Sequence, residues 1–493
     1  MSISFNTIPQ ALRVPLFYAE VDNSKAGDSV DNPRALIVAQ MLAAGDADAD
    51  TPIQVAGADE AKTRFGVGSL AALMVAWYRK RDVAGELWVL PLADDDAAVA
   101  ATGKLSFTGT ATAAGVLSLY VGGELVSVAV TSGMTAAQLA AAAAAAITAA
   151  SDLPVTAAVN GVNAYEVDIT ARNKGLAGDD IDLRVNYLGA RNGQAVPAGI
   201  TLTITAMSGG ATNPTLTTGL AALGDERFDC IVSAYTDTTS LDALKALLGD
   251  AAGRWSWESQ VYGHVFAAYR GTVAARTTFG NARNDQHAAV MGFYDSPTPA
   301  WLWAANVAGA AFVSLKADPA RPLQTLELDV LAPPIASRDT LAQRNTLLFD
   351  GISTYTVGPD GTCRIENLIT TYQTNAFGQP DDSYLQVETL FTLAALLRAL
   401  KGAITSKYSR VKLADNGTRV PPGSAVVTPN MIRAELIAQY RAVEGDLVEN
   451  ADAFADALIV ERNAANRNRV DVLWPADLIN GLRVFALLAQ FRS

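Results

Sequence analysis

Residues that carry metal or nucleophilic chemistry are scarce in this sequence, which has two cysteines and two histidines among 493 residues. Cys230 and Cys363 form no CxxC or Cys/His spacing, so we expect buried thiols in a reducing compartment and no metal site. The sequence contains no GxSxG motif, which would mark a hydrolase nucleophile, so neither His264 nor His287 lies near one. We therefore predict a protein that is not an enzyme and has no catalytic residues.

Two short stretches resemble ligand-binding loops but lack the residues those loops need. The acidic stretch 46–50 looks like the start of a calcium loop, yet Thr51 and Gly57 stand where such a loop has Gly and Glu. Residues 102–105 lack the upstream Gly and the final Ser or Thr of a phosphate-binding loop. We therefore expect no cofactor-binding residue and no metal.

The sequence also lacks a basic excess, a signal peptide and a long apolar run. Its net charge is −13, which argues against nucleic-acid binding because phosphates are neutralised by Lys and Arg. The first ten residues contain no basic region followed by an apolar core. The most apolar run, residues 390–404, is interrupted by Arg398 and Lys401. We expect cytoplasmic synthesis, no direct nucleic-acid contact and no membrane insertion.

What the sequence does contain is an α/β pattern interrupted by a second kind of sequence. Buried strands are predicted at 34–39, 86–91, 229–234, 261–267 and 285–293, and helices at 58–65, 69–80, 241–248 and 301–313. Strands that alternate with helices indicate a mainly parallel sheet with helices on both faces. Between the two parts of this pattern, residues 93–213 are rich in Thr, Gly, Ala and Val. Seven short strands and one alanine-rich helix, 135–150, predict an inserted, mainly-β domain there.

The last part of the chain predicts an α+β domain. Ser383 and Gln386 have capping-box spacing before a helix that runs to about residue 401. A second helix has Thr428 as N-cap, Pro at its first position and an apolar stripe at Ile432, Leu436 and Tyr440. A helix at 451–460 and strands at 469–474 and 482–491 follow.

Both ends of the chain are apolar and extended in character, although chain ends are normally polar. The N-terminal apolar residues are Leu12, Val14, Leu16, Phe17 and Tyr18. The C-terminal ones are Leu482, Val484, Phe485, Ala486, Leu487, Leu488 and Phe491, which place apolar side chains on both faces of a strand. Such a strand pairs either within its own subunit or with a neighbour's sheet edge by β-augmentation.

The chain resembles the tail sheath proteins of Mu-like contractile phages along its whole length. The matching stretches are Ser4-Phe-Asn, Arg13-Val-Pro-Leu, Asp22-Asn-Ser, Phe65-Gly-Val-Gly-Ser, Glu86-Leu-Trp-Val-Leu-Pro-Leu, Arg283-Asn-Asp-Gln-His-Ala-Ala-Val-Met-Gly, Ser296-Pro-Thr-Pro, Leu331-Ala-Pro-Pro, Thr428-Pro, Ile432-Arg-Ala-Glu-Leu, Leu447-Val-Glu-Asn, Val460-Glu-Arg and Asn468-Arg-Val-Asp-Val-Leu-Trp-Pro-Ala-Asp-Leu-Ile-Asn-Gly-Leu-Arg-Val-Phe-Ala. No single stretch is a signature, but their order and combination are specific.

This resemblance implies a multidomain structural protein that polymerises helically around an inner tail tube and contracts to drive the tube through the host envelope. The implied parts are an extended N-terminal arm (1–22), a split α/β core of subtilisin-like shape without a peptidase site (23–92 and 214–370), an inserted outer domain (93–213), a tube-facing C-terminal domain (371–480) and a C-terminal strand arm (481–493). The implied partners are other copies of the chain, the tube protein, and the baseplate and tail terminator proteins of a virion tail.

Polar side chains on the helix after Thr428 are the candidates for tube contact. Arg433, Glu435 and Arg441 lie off its apolar stripe, and polar contacts separate more readily than large apolar ones when sheath and tube must part. Three alternatives stay open: the sheath of a phage-derived bacteriocin or injection machine, a degenerate hydrolase, and an adhesin built on the β-rich insert.

Overall fold

The computed structural model of the protein describes residues 32–492. The N-terminal arm candidates Leu12, Val14, Leu16, Phe17 and Tyr18 lie outside the described residues.

The chain begins its central sheet with three strands and two helices. The elements are β1 (Arg34–Gln40), β2 (Ile53–Gln54), α1 (Ala58–Phe65), α2 (Leu70–Arg79) and β3 (Glu86–Leu92). The Ser69 hydroxyl caps α2 by accepting the Ala72 N–H. β3 ends at Leu92, one residue past the predicted strand, and therefore continues through Pro91. Its carbonyl accepts the Asp50 N–H on the side where β2 has already ended, so the missing proline N–H removes no ladder bond.

Residues 102–208 form two antiparallel sheets and one long helix. The elements are β4 (Thr102–Gly109), β5 (Gly115–Val121), β6 (Glu124–Val130), α3 (Ala136–Ala149), β7 (Val155–Val159), β8 (Glu166–Ala171), β9 (Leu183–Val185) and β10 (Ile200–Ser208). One sheet has the order β10-β4-β8-β7 and the other β6-β5-β9. Thr135 and Gln138 form a reciprocal capping box at the start of α3. All seven predicted strands and the predicted helix are therefore present.

The following segment completes the central sheet. Its elements are α4 (Thr217–Ala221), β11 (Cys230–Ser233), α5 (Thr238–Leu248), β12 (His264–Arg270), α6 (Val273–Asn281), β13 (Ala288–Phe293) and α7 (Ala300–Ala317). β12 begins three residues later than expected because Tyr262 and Gly263 have φ values of 64° and 129°, which interrupt the extended backbone. α6 was not predicted, since VAARTTFGN carries no clear apolar stripe.

The central sheet has the order β13-β12-β11-β1-β3-β2 and is parallel except for β2. Alternate residues of β1 enter different hydrophobic clusters: Ile37 lies in the one that contains α2 and α7, and Leu36 in the one that contains α4 and α5. Helices therefore cover both faces, as a buried parallel sheet requires. The first cluster continues into residues 101–207, so the core and the insert share packed side chains.

A small sheet and a third cluster follow. The elements are β14 (Glu327–Leu328), α8 (Leu341–Phe349), β15 (Thr354–Val357), β16 (Cys363–Asn367), α9 (Val387–Tyr408), β17 (Lys412–Leu413), β18 (Val426–Val427), α10 (Pro429–Ala442), α11 (Ala451–Ala457), β19 (Ile459–Arg462) and β20 (Val470–Leu473). The predicted stripe Ile432, Leu436 and Tyr440 is buried in the third cluster. There Tyr440 stacks on Phe454, with the two ring centroids 3.7 Å apart. The described chain is thus a mixed α/β, multidomain structure with several separate sheets.

Two boundaries in this part differ from the prediction. Ser383 does not cap α9: its N–H donates to Asp381 in a turn, and the helix begins four residues later and continues past residue 401 to Tyr408. The predicted helix 451–460 ends at Ala457, because the chain turns there into β19.

Candidate assembly interface

The hairpin β19–β20 is a sheet with two open edges. Its strands pair antiparallel, from Ile459 opposite Leu473 to Arg462 opposite Val470, and within residues 32–492 no third strand joins them. Val460 and Val470 pack on the third cluster, which fixes the hairpin to α10 and α11. A two-stranded sheet presents unpaired N–H and C=O groups along both edges. The hairpin is therefore a template on which an added strand can pair.

Charged side chains hold the loop end of this hairpin. Arg462 and Arg467 both bind Asp415, at 2.9 and 2.8 Å. Their hydrogen bonds, the one from Arg462 above all, hold the pKa of the Asp415 carboxyl below its usual value. The edges of β19 and β20 are thus presented by a domain that is internally anchored.

The C-terminal segment 484–491 exposes apolar side chains that have no partner in the described structure. Its large side chains are solvent-exposed: Val484 81%, Phe485 79%, Leu487 77%, Leu488 82% and Phe491 92%. The prediction of a strand at 482–491 is wrong for the single chain, which has no strand there. A strand needs a ladder partner, and within residues 32–492 the segment has none. Ala486 is exposed with its neighbours.

The residues just before this segment are, by contrast, firmly held. The Ile479 N–H donates to the Leu447 carbonyl at 3.1 Å, and the Leu482 carbonyl accepts from Gln324 at 3.1 Å. Arg483 forms an ion pair of 2.7 Å with Glu388, which is 4% exposed. The last described polar contact of the C-terminal segment is therefore that of Arg483, although the Leu482 side chain before it is already 69% exposed.

The three tube-contact candidates occupy different environments. Arg433 donates to the carbonyls of Ala455 and Leu458, so it caps the C-terminus of α11 and is half-buried. Glu435 accepts from Lys407 at 2.5 Å. Arg441 is exposed, and its one ion pair with the described residues is with the exposed Asp452, at 3.0 Å. Of the three, Arg441 is therefore the side chain most available to a partner molecule.

The two histidines are built into the core. His264 is buried against Phe266 and Phe391, and burial lowers the pKa of its imidazole to about 3. His287 stacks on Trp255 and contacts Asp250 at 2.8 Å. Both cysteines are buried free thiols, and burial raises the pKa of Cys363 to about 12. At neutral pH the imidazole of His264 is therefore uncharged and the thiol of Cys363 stays protonated.

The described residues 32–492 contain neither a metal-binding cluster nor a membrane-spanning helix. In that part of the chain no group of three or more His, Cys, Asp or Glu side chains is arranged to hold a metal ion. No helix there combines the length and the apolar character needed to cross a membrane.

Sequence reasoning found the exposed apolar segment but missed the groups that hold its base. Glu388 and Arg483 are 95 residues apart, and no local pattern pairs residues at that distance. The one available signal was a charged residue within an otherwise apolar terminal run. The open edges of β19–β20 were missed because the pattern predicted the second strand but placed the first in a helix.

Comparison with known proteins gives the family. Residues 209–371 match the phage tail sheath protein central domain, and residues 379–492 match the phage tail sheath C-terminal domain. The Mu-like prophage FluMu tail sheath protein of Haemophilus influenzae is 44% identical over 494 residues, which is 100% of both chains.

Among solved structures, the sheath tail protein of Desulfitobacterium hafniense is 15% identical with a TM-score of 0.49, covering 95% of this chain and 97% of that one. The helical sheath of the anti-feeding prophage in its contracted state is 12% identical with a TM-score of 0.46, covering 98% and 100%. Because identity to a tail sheath protein extends over the full length of both sequences, this chain belongs to the Mu-like family of phage tail sheath proteins.

Proposed function

We propose that this protein is the structural subunit of a contractile tail sheath. It polymerises helically around an inner tail tube and shortens to drive the tube through the host envelope during genome delivery. The observation that carries this proposal is the full-length relationship to a tail sheath protein, combined with an apolar terminal segment that has no partner among residues 32–492. In this role the protein is not an enzyme and acts in the tail of the virion after assembly in the host cytoplasm.

The terminal arms join neighbouring subunits in this proposal. The C-terminal segment 484–491 adds as a strand to the open edge of a neighbour's β19–β20 hairpin, and the N-terminal residues 1–22 add in the same way. Donor segment and acceptor edge are different surfaces of one chain, so the contact is heterologous and generates an open helical polymer. The support is the coexistence of an unpaired apolar segment and an unpaired sheet edge in one subunit.

The remaining domains take places that suit this assembly. The split core is a rigid body of subtilisin-like shape, supported by its mainly parallel sheet with helices on both faces. The insert at 93–213 lies on the outer surface, and residues 371–480 face the tube and contact it through polar groups such as Arg441. Contraction is then a repacking between rigid subunits that stay joined through their arms. The baseplate and the tail terminator bind the two ends of the polymer.

Ending the chain after Arg483 tests the proposal. This truncation removes segment 484–493 but keeps every described contact that holds the base of the arm. We expect a folded, soluble monomer that forms no hollow tubes in negative-stain images at concentrations where the full-length protein does. Normal tubes from the truncated protein would overturn the role of the arm. Failure of the truncated monomer to fold would place the segment in its own subunit's core.

A further inference from the structure

The base of the C-terminal arm is held by one buried carboxylate. Glu388 lies in the first turn of α9 and is 4% exposed. Its Oε1 accepts the backbone N–H of Leu323 at 2.7 Å and the Arg483 Nη2 at 2.7 Å. One oxygen atom therefore joins the segment that follows α7, the start of α9 and the C-terminal segment.

Contacts on both sides of Gly481 reinforce this junction. The Gln324 side chain donates to the Leu482 carbonyl at 3.1 Å, and Asn480 donates to Glu449 at 3.1 Å. Gly481 lies so close to Pro322 that a Cβ placed on it would be 2.7 Å from the proline Cγ. The glycine at this position therefore permits close packing, and the arm does not pivot there.

We propose that the Arg483–Glu388 ion pair is a clamp that sets the point and direction at which the C-terminal arm leaves the subunit, so that the arm reaches its neighbour's sheet edge. This inference rests on the proposed function of the arm. Arg483 is a positioning residue: it does not contact the neighbour but keeps the preceding residues ordered. The side chains from Val484 to Phe491 then begin from a fixed base.

The physical reason is preorganisation. The eight residues 484–491 span about 26 Å when extended. If residues 479–483 were released, about five more residues would become free, and each residue that must be ordered on binding weakens association about five- to thirtyfold. Releasing one or two of them therefore raises the concentration needed for assembly about tenfold or more. The clamp needs a charged group, since a buried carboxylate is stabilised by a charge-assisted donor.

Three variants separate this role from general structural support. Arg483→Met keeps the unbranched apolar part of the side chain and removes the charge, and Arg483→Lys keeps the charge with fewer donors. Arg492→Met is the matched control, because Arg492 is an exposed arginine that lies just beyond the segment 484–491 and outside the proposed strand. The measurements are the critical concentration for tube formation, by sedimentation, and hydrogen exchange of the 479–483 amides in the monomer.

We expect Arg483→Met to raise the critical concentration about tenfold or more and to speed exchange at 479–483, while Arg483→Lys restores part of both and Arg492→Met behaves as wild type. Wild-type assembly by Arg483→Met overturns the clamp, and so does a loss that the lysine variant does not reduce. The chain truncated after Arg483 distinguishes the two proposals. If it forms normal tubes, the function of the arm is wrong; if it does not while Arg483→Met does, only the clamp is wrong.

Discussion

Replacing Phe485 and Phe491 by serine tests the arm without shortening it. The two residues are six apart, so they lie on the same face of an extended strand. They are 79% and 92% exposed, so they contribute little to the stability of the monomer. The free energy of unfolding of the double variant should therefore lie within about 0.5 kcal/mol of the wild-type value. In the polymer, the account places both side chains against a neighbouring subunit.

The expected effect on assembly follows from the area that these side chains bury. Each large apolar side chain contributes about 1.5–3 kcal/mol when buried, so the pair contributes about 3–6 kcal/mol to the contact between subunits. Every 1.4 kcal/mol is a factor of ten, so the double variant should raise the critical concentration for tubes by roughly 10² to 10⁴. Sedimentation of a dilution series, with electron microscopy of the pellets, measures it.

A matched control separates this effect from a general loss of surface apolarity. Val83 and Val162 are 77% and 91% exposed and lie away from the arm in sequence, so the Val83→Ser/Val162→Ser variant should assemble as wild type. Wild-type assembly by the phenylalanine variant would refute the reasoning. A loss of monomer stability well beyond about 0.5 kcal/mol would also refute the reasoning, because it would place the arm in the core of its own subunit.

Three further predictions address other parts of the molecule. The pKa of His264 is about 3 in the folded protein and about 6.5 in the unfolded chain, so between these pH values only the unfolded chain binds the proton. The free energy of unfolding therefore falls as the pH is lowered from about 6.5 to about 3. In urea titrations at several pH values, His264→Phe should reduce the slope of unfolding free energy against pH by up to about 1.4 kcal/mol per pH unit. Replacing residues 100–210 by a Gly/Ser linker should leave a folded, assembling protein, because Val99 and Ala211 pair at 3.0 and 3.1 Å. The variant loses the Asn173 contacts with Leu70 and Met41 and the apolar packing that the core shares with the insert, so it should be less stable than wild type, and loss of soluble protein would contradict the prediction. Arg441→Glu should weaken co-assembly on tail tubes, more at low salt than at high salt, and unchanged co-assembly in both would exclude it as a tube contact.

Local signals predicted the elements that depend on local chemistry. Pro429 stands at the first position of α10, as predicted, and α2 and α3 begin one residue after the predicted starts, because Ser69 and Thr135 are their N-caps. The continuous apolar run of β1 predicted a fully buried strand, since it places apolar side chains on both faces.

The positions that the sequence pattern predicted incorrectly depend on contacts it does not show, one in a local turn and two between distant segments. Ser383 has the spacing of a capping box, but the turn at Asp381 takes its backbone N–H, and the helix begins later. Arg433 lies off the apolar stripe of α10, as expected, yet its guanidinium reaches the carbonyl end of α11 instead of solvent. The Arg483–Glu388 contact joins residues 95 positions apart and has no local signature.

The central claim is that the arm of one subunit completes a sheet in another, and a cryo-electron microscopy structure of tubes formed by the purified full-length protein tests it most directly. The account predicts hollow helical tubes in which residues 484–491 are a β-strand paired with the β19–β20 hairpin of an adjacent subunit. Tubes in which that segment pairs with the hairpin of its own subunit, or stays unpaired in solvent, would contradict it.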